Sequence, residues 1–243
     1  MLELEHSHTP EGIHDRLVKG PRRSYLRDWI YGGIDGTVTT FAIVAGVVGA
    51  NLSVGVLLIL GFANLLADGF AMAASDYTGT KSEHEDYTRV LGIERKHIAL
   101  VPEGEREEIR QIFSAKGFSG ADLERVVAVI TSDSSLWAKT MATEEYGLSP
   151  TLRSPLLAAL CTFGAFVVCG CVPLLTYLLP GGLYACAIAT GATFFGVGAI
   201  KSVWSPRGWL RSGLEVFIIG MIAAVLAFAV GYGFRVVFNL FPA

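Results

Sequence analysis

Charge is what this sequence has least of. Only 17% of its 243 residues are Asp, Glu, Lys or Arg, whereas a soluble domain is usually nearer a quarter. That shortage excludes an ordinary water-soluble globule as a description of the whole chain. Cysteine is scarce too. Cys161, Cys169, Cys171 and Cys186 are the full set, and all four fall inside apolar runs. A disulfide framework in loops is therefore excluded, and the four read as small packing residues. The first 24 residues, MLELEHSHTPEGIHDRLVKGPRRS, lack an apolar core and a small-residue cleavage site. No signal peptide is expected there, and the N-terminus is expected to stay in the cytosol.

What the chain has instead is apolar length. Hydrophobic residues make up 52% of it, and they concentrate in five runs: 29–50, 54–74, 156–179, 182–200 and 213–234. Each approaches the ~20 residues a helix needs to cross ~30 Å of hydrocarbon. The expected fold class is an all-α membrane protein with five transmembrane helices. Basic residues set its direction. Arg16, Lys19, Arg22, Arg23 and Arg27 precede span one, Lys81 and Arg153 bracket the second-to-third connection, and Lys201, Arg207 and Arg211 lie in the fourth-to-fifth. The remaining connections, NLS and PG, carry no charge. The positive-inside rule then places the N-terminus in and the C-terminus out.

The acids are unevenly distributed. Thirteen of the 22 lie in residues 82–150, against eight Lys or Arg. This stretch reads as a small cytosolic helical module between spans two and three, too short to be an assured independent domain. The expected division is a tail over 1–27, two spans over 28–81, the module over 82–150 and three spans over 151–243. Span two is expected to run on through KSEHEDYTRVLGIERKHIAL as one long helix until Pro102 stops it. Three further helices follow: one closed by Gly117, one capped by Ser119 that packs Leu123, Val126, Val127 and Ile130, and one ended by Gly147.

Within the module, possible metal ligands recur at helical spacing. Glu94 and His97 are three apart, as are Glu105 and Glu108, and Met141 and Glu145 are four apart. Each pair shares a helix face. Carboxylates with an imidazole suit Fe²⁺ or Mn²⁺, and a thioether tilts the set toward Fe²⁺ over Ca²⁺ or Mg²⁺. The competing reading is a solvated acidic face whose carboxylates pair with Arg106 and Arg110.

Four acids remain in the membrane part: Asp35, Asp68, Asp76 and Glu215. An acid at mid-bilayer costs ~2.5–3.5 kcal/mol on insertion scales and normally faces a bundle interior or a pathway. Asn64, Asp68, Met72 and Asp76 follow one another at four-residue intervals, which aligns them along one stripe of span two. Asp76 is also readable as interfacial, and Glu215 as an ion pair with Arg211 one turn earlier. The glycines Gly32 and Gly36, followed by Gly46 and Gly49, with the small residues of span two, predict close packing of spans one and two against each other or against a second copy.

Three stretches in this order, YGGIDGTVTTFAIVAGVVGA, LLADGFAMAASDYTGTKSE and WAKTMATEEYGL, resemble the vacuolar iron transporter family, and the likeness extends from about Asp28 to Tyr232. The resemblance implies a five-helix homodimer that exports cytosolic Fe²⁺, and often Mn²⁺, in exchange for protons. It implies a path lined by Asp35 and Met72, and a cytosolic metal-binding module using Glu94, Glu105, Glu108, Glu145 and Met141. Three positions depart from the family pattern. Asn64 stands where eukaryotic members have a glutamate, His97 replaces a module glutamate, and Ala142 replaces a second methionine. The pattern looks like that of bacterial relatives, so a bacterial inner membrane is the expected location.

A mechanism follows from linkage alone. Carboxyl groups in a desolvated setting favour their protonated form, and a divalent cation must displace those protons to bind. Asp35 and Asp68 on one path, flanked by Asn64 and Met72, would hold either cargo or protons. The expected cargo is Fe²⁺, with Mn²⁺, Co²⁺ or Zn²⁺ as further candidates; the expected partners are protons, the bilayer and a second copy, with no nucleic acid. Two alternatives stay open. Glu94 and His97 form a Glu-x-x-His element of the kind used by di-iron carboxylate bundles, which suggests a membrane-anchored ferroxidase or iron-storage protein, although one chain offers a single such element. A regulatory membrane protein with an acidic docking module is the other.

Overall fold

The computed structural model describes residues 7–20, 23–204 and 206–238, and the tail residues His6 and Arg22 lie outside them. Every regular element among the described residues is helical. In chain order these are α1 (Pro10–Lys19), α2 (Leu26–Gly49), α3 (Val54–Leu100), α4 (Pro102–Ala115), α5 (Gly120–Thr131), α6 (Ser134–Glu144), α7 (Pro155–Tyr177), α8 (Gly182–Lys201), a 3₁₀ turn (Ser202–Trp204) and α9 (Trp209–Phe238). Five of them, α2, α3, α7, α8 with its 3₁₀ turn, and α9, are long and apolar enough to cross a membrane. A membrane-spanning backbone must satisfy its own hydrogen bonds, which a helix does.

The chain divides into two compact units. The first holds Thr80–Arg153 together with the N-terminal segment, and the second holds Ser24–Gly79 with the residues from Ser154 onward. The boundary falls inside α3, which passes through Gly92 without a break and stops before Pro102. Helix α1 lies within the stretch expected as a tail; Thr9 caps it by accepting from the Gly12 amide, and Pro10 opens its first turn.

In the second unit, α7 is the helix on which others are laid. A Cβ added to Gly32 or Gly36 would strike the carbonyl oxygen of Thr162 or Phe166 on α7. A Cβ on Gly61 of α3 would strike the Leu174 side chain, and one on Gly69 would crowd Phe166 and Phe163. The small residues of spans one and two thus do allow close approach, but the element approached is span three. Within one chain, then, these glycines seat spans one and two on span three and not on each other. Farther along α2, Gly49 meets the Phe228 carbonyl of α9, and Gly231 of α9 meets the Gly46 carbonyl. Phe41, Val44, Leu57, Leu65, Phe166, Leu174, Phe194 and Val216 fill the space between these helices.

The four cysteines are free thiols. Cys186 donates to the Pro173 carbonyl at 3.2 Å, and Cys161 to the Tyr25 carbonyl at 3.4 Å. Glu215 pairs with Lys201 at 3.6 Å and Arg207 at 3.5 Å. Those partners replace Arg211, expected from helical spacing, because the α8–α9 connection folds back over the start of α9.

The first unit has its own core. Ile109, Val127, Ile130, Trp137 and Met141 are buried together, with Ile98, Ile112, Leu123 and Val126 packed around them. Helix α6 begins at Asp133, whose carboxylate accepts from the amides of Ser135 and Leu136. Ser119 stands at the N-cap of α5 as expected, but its hydroxyl accepts no capping bond. Gly147, at φ +67°, takes the left-handed conformation that ends the α6 segment.

Candidate functional site

Two groups of polar residues have geometry beyond what a membrane fold requires, one in each unit. In the second unit, the face of α3 that meets α7 runs through Gly61, Leu65 and Gly69. Asn64 and Asp68 stand one residue earlier on the spiral, about 100° around the helix. Asn64, Asp68 and Met72 are all half-buried, whereas Phe62, Leu66 and Phe70 on the far flank are exposed. Helix α2 shows the same arrangement. Gly32 and Gly36 face α7, and Asp35 stands one residue before Gly36, half-buried. Helices α2 and α3 both lie on α7, and Asp35 and Asp68 are within electrostatic reach of one another. The Asp35 carbonyl accepts from the Thr39 hydroxyl at 2.9 Å.

Asp76, the last member of the stripe, has a protein partner. Its carboxylate accepts from the Thr162 hydroxyl of α7 at 2.6 Å. This bond ties α3 to α7. Thr162 is itself 1% exposed. Nothing in a list of acids would have singled out this threonine; only the packing of α3 on α7 does so.

In the first unit the carboxylates converge. Glu94 is 1% exposed and Glu105 4% exposed. Both oxygens of Glu94 and Oε2 of Glu105 lack a hydrogen-bond partner. Glu105 Oε1 lies 3.4 Å from Nδ1 of His97. Burial, then the charges of Glu108, Glu94 and Glu145, push the Glu105 carboxyl up to about 7. Glu145 is raised by burial and by Glu94 and Glu108, with His97 opposing. Five of the six expected ligand residues, Glu94, His97, Glu105, Glu108 and Glu145, thus share one electrostatic neighbourhood. Among the described residues, no three His, Cys, Asp or Glu side chains are already arranged around a single ion position. Met141, the sixth, has 0% exposure and packs in the apolar core beside Ile109 and Trp137.

The arginines of α4 pair with other acids than the expected ligands. Arg106 pairs with Glu103 at 2.7 Å, and Arg110 pairs with Glu107 and with Glu124. Neither takes Glu105 or Glu108. On α4, Glu103 and Glu107 are paired with arginine, whereas buried Glu105 has only the His97 imidazole beside it and exposed Glu108 takes neither arginine. Buried charge of that kind is costly unless something pairs with it. A divalent ion fits this donor set, since carboxylate oxygens and an imidazole nitrogen suit Fe²⁺ and Mn²⁺. Tyr146 also belongs to this neighbourhood. Burial, then Glu94 and Glu145, push its phenol up to about 12. Nothing in its sequence position beside the helix-ending Gly147 signals this.

The spans define a multi-pass helical membrane protein that keeps acids inside its apolar bundle. The chain belongs to the VIT family, whose profile matches residues 26–232. It is 33% identical over 208 residues to vacuolar iron transporter 1 of Arabidopsis thaliana, covering 84% of this chain and 83% of that protein. It is similar at 33% identity to vacuolar iron transporter 2 of Oryza sativa subsp. japonica, covering 84% and 85%. It is 28% identical to the vacuolar iron transporter of Plasmodium falciparum (isolate 3D7), covering 85% and 81%. These relatives are named for the vacuole and give no support to the expected bacterial inner membrane.

Proposed function

We propose that this chain is a transporter, not an enzyme, that moves Fe²⁺, and Mn²⁺ as a second cargo, out of the cytosol in exchange for protons. The observation that carries the proposal is the placement of Asp35 and Asp68. They lie half-buried on two membrane-spanning helices, each within the other's field. Two such carboxylates hold protons or one divalent ion, but not a divalent ion and their protons together. Entry of metal from one side then releases protons, and its departure on the other restores them. Asn64 and Met72, one turn to either side of Asp68, would add an amide oxygen and a thioether. The thioether favours a transition metal over Ca²⁺ or Mg²⁺. Iron as cargo is supported by relatives named iron transporters that align with most of the chain.

The carboxylate cluster of the first unit would gather the same ion on the cytosolic side. Glu94, His97, Glu105, Glu108 and Glu145 would hold it, supplying oxygens and one nitrogen, with the thioether of Met141, one turn before Glu145, as the sixth donor. A pair of chains, joined through faces of α2 and α3 not occupied by α7, would form the working unit.

The test is reconstitution in vesicles with an internal pH reporter, followed with Fe²⁺, Mn²⁺, Co²⁺ and Zn²⁺ in parallel. Wild-type protein is expected to couple metal entry to proton exit, with Fe²⁺ the fastest. Asp68→Ala is expected to lower the flux at least tenfold, and Met72→Ala to lower Fe²⁺ flux more than Mn²⁺ flux. Wild-type flux without proton movement would end the exchange proposal.

A further inference from the structure

We infer that a cleft at the cytosolic end of α2 and α8 is a binding site for an anionic phospholipid. The cleft has a volume of about 420 Å³ and is lined by Arg27, Ile30, Tyr31, Ile34, Lys201 and Trp204, with Pro206 at its rim. Arg27 opens α2, and Lys201 closes α8. The distribution of basic residues puts both ends on the cytosolic side, at the depth where phosphates lie.

Polarity along the cleft follows that of a lipid. Arg27, Ile30, Tyr31 and Ile34 lie at i, i+3, i+4 and i+7, one stripe of α2. The stripe starts with a guanidinium and continues as alkyl and aryl surface toward the bilayer centre. Ile30 is buried as the floor, while Tyr31 and Trp204 are each about half exposed at the walls, as aromatic side chains at the headgroup level commonly are. The Arg27 guanidinium lies 5.3 Å from the centre of the Tyr31 ring, which orients it along the cleft.

Charge selects the headgroup. Glu215 is the carboxylate that faces this end of α8, and it is shared by Lys201 at 3.6 Å and Arg207 at 3.5 Å. One negative charge against Lys201 and Arg27, the two cations that line the cleft, leaves it positive. Asp28, the acid next to Arg27, is buried on the protein side of the helix. A phosphate between Arg27 and Lys201, with its acyl chain against Ile30 and Ile34, satisfies both the cations and the apolar floor. Basic clefts between membrane helices on the cytosolic side bind anionic headgroups for this reason. A soluble phosphate would use the cations alone and leave the apolar stripe uncovered.

The full-length protein in neutral detergent is titrated with dioleoyl phosphatidylglycerol, dioleoyl phosphatidylcholine and glycerol 1-phosphate. Bound lipid is counted by native mass spectrometry and followed by tryptophan fluorescence, since Trp204 lines the cleft. Phosphatidylglycerol is expected to bind at least fivefold tighter than phosphatidylcholine, on the scale of one cation at a membrane surface, roughly 1 kcal/mol or about fivefold. Arg27→Gln and Lys201→Gln are each expected to remove about that factor. Arg27→Lys is expected to keep the preference, and Arg235→Gln, at the far end of α9, to leave it unchanged. Equal binding of the two lipids would overturn the inference. So would glycerol 1-phosphate matching phosphatidylglycerol, which would make the cleft a soluble-phosphate site. If a variant fails to fold, the wild-type comparison of the three ligands decides alone.

Discussion

Replacing Glu105 with glutamine should make the metal-free protein more stable at neutral pH while weakening its hold on metal. Glu105 is nearly sealed from solvent, faces three other carboxylates, and has one oxygen with no partner. Its carboxyl is pushed from an ordinary value of 4.5 up to about 7, by burial first and then by Glu108, Glu94 and Glu145. A carboxyl whose folded value is raised binds its proton more tightly in the folded state. Its favourable contribution is therefore complete below about pH 4.5 and is lost as the pH rises through about 7. At about 1.4 kcal/mol per tenfold change in acidity, the loss is capped at about 3 kcal/mol. Glu108 and Glu145 lie exposed at the edge of the cluster, and water there screens their repulsion. A working figure of about 1–2 kcal/mol is therefore appropriate.

Glutamine keeps the size and removes the charge. Hydrogen exchange over Pro102–Ala115, read by mass spectrometry on the full-length metal-free protein in detergent, reports this locally. Wild-type protection, corrected for intrinsic exchange, should fall by about tenfold between pH 5 and pH 8, and Glu105→Gln should abolish most of that fall. Mn²⁺ should restore wild-type protection at pH 8, with an affinity at least tenfold weaker in the variant. If Glu105→Gln loses protection at pH 8, or if the wild type is equally protected at both pH values, the strained-carboxylate argument fails.

Other substitutions test the packing. Gly36→Ala puts a methyl group against the Phe166 carbonyl, which cannot move aside, and should cost on the order of 1–3 kcal/mol in thermal unfolding. Gly92→Ala meets nothing within 4 Å in the middle of α3, so it should instead stabilise by up to about 1 kcal/mol; equal effects from the two would refute the α2–α7 contact. Thr162→Val removes the hydroxyl that bonds Asp76 and leaves a half-buried carboxylate unpartnered, a loss of about 1–3 kcal/mol. Asp76→Asn, which still accepts that bond, should be milder in the same melting assay.

Much of the fold was legible because lipid allows so few choices. Five apolar runs of spanning length yield five helices, and the helix begun by span two continues to Pro102 because no residue in between interrupts its hydrogen bonds. The ends were less legible. Helix α2 starts at Leu26, before the apolar run does, and α9 starts at Trp209, since polar first turns can still be helical in the interface. In the module, the Glu94, Glu105 and Glu145 neighbourhood could be anticipated from face-sharing pairs. That Arg106 and Arg110 leave its inner acids alone could not, because spacing allows each arginine several carboxylates.

By itself, then, the sequence determined what each helix must hide from lipid or water: the five spans, the acids that lipid does not tolerate cheaply, and the faces on which they recur. These depend on local chemistry and on a period of 3.6 residues. Tertiary structure alone decided which helix receives each face. It set glycines of α2 and α3 against α7, brought Asp35 within electrostatic reach of Asp68, gave Asp76 to Thr162 and placed Met141 in a core. Such contacts join residues far apart in the chain, 134 positions for Asp28 and Thr162, and no periodicity within one helix records its neighbour's identity.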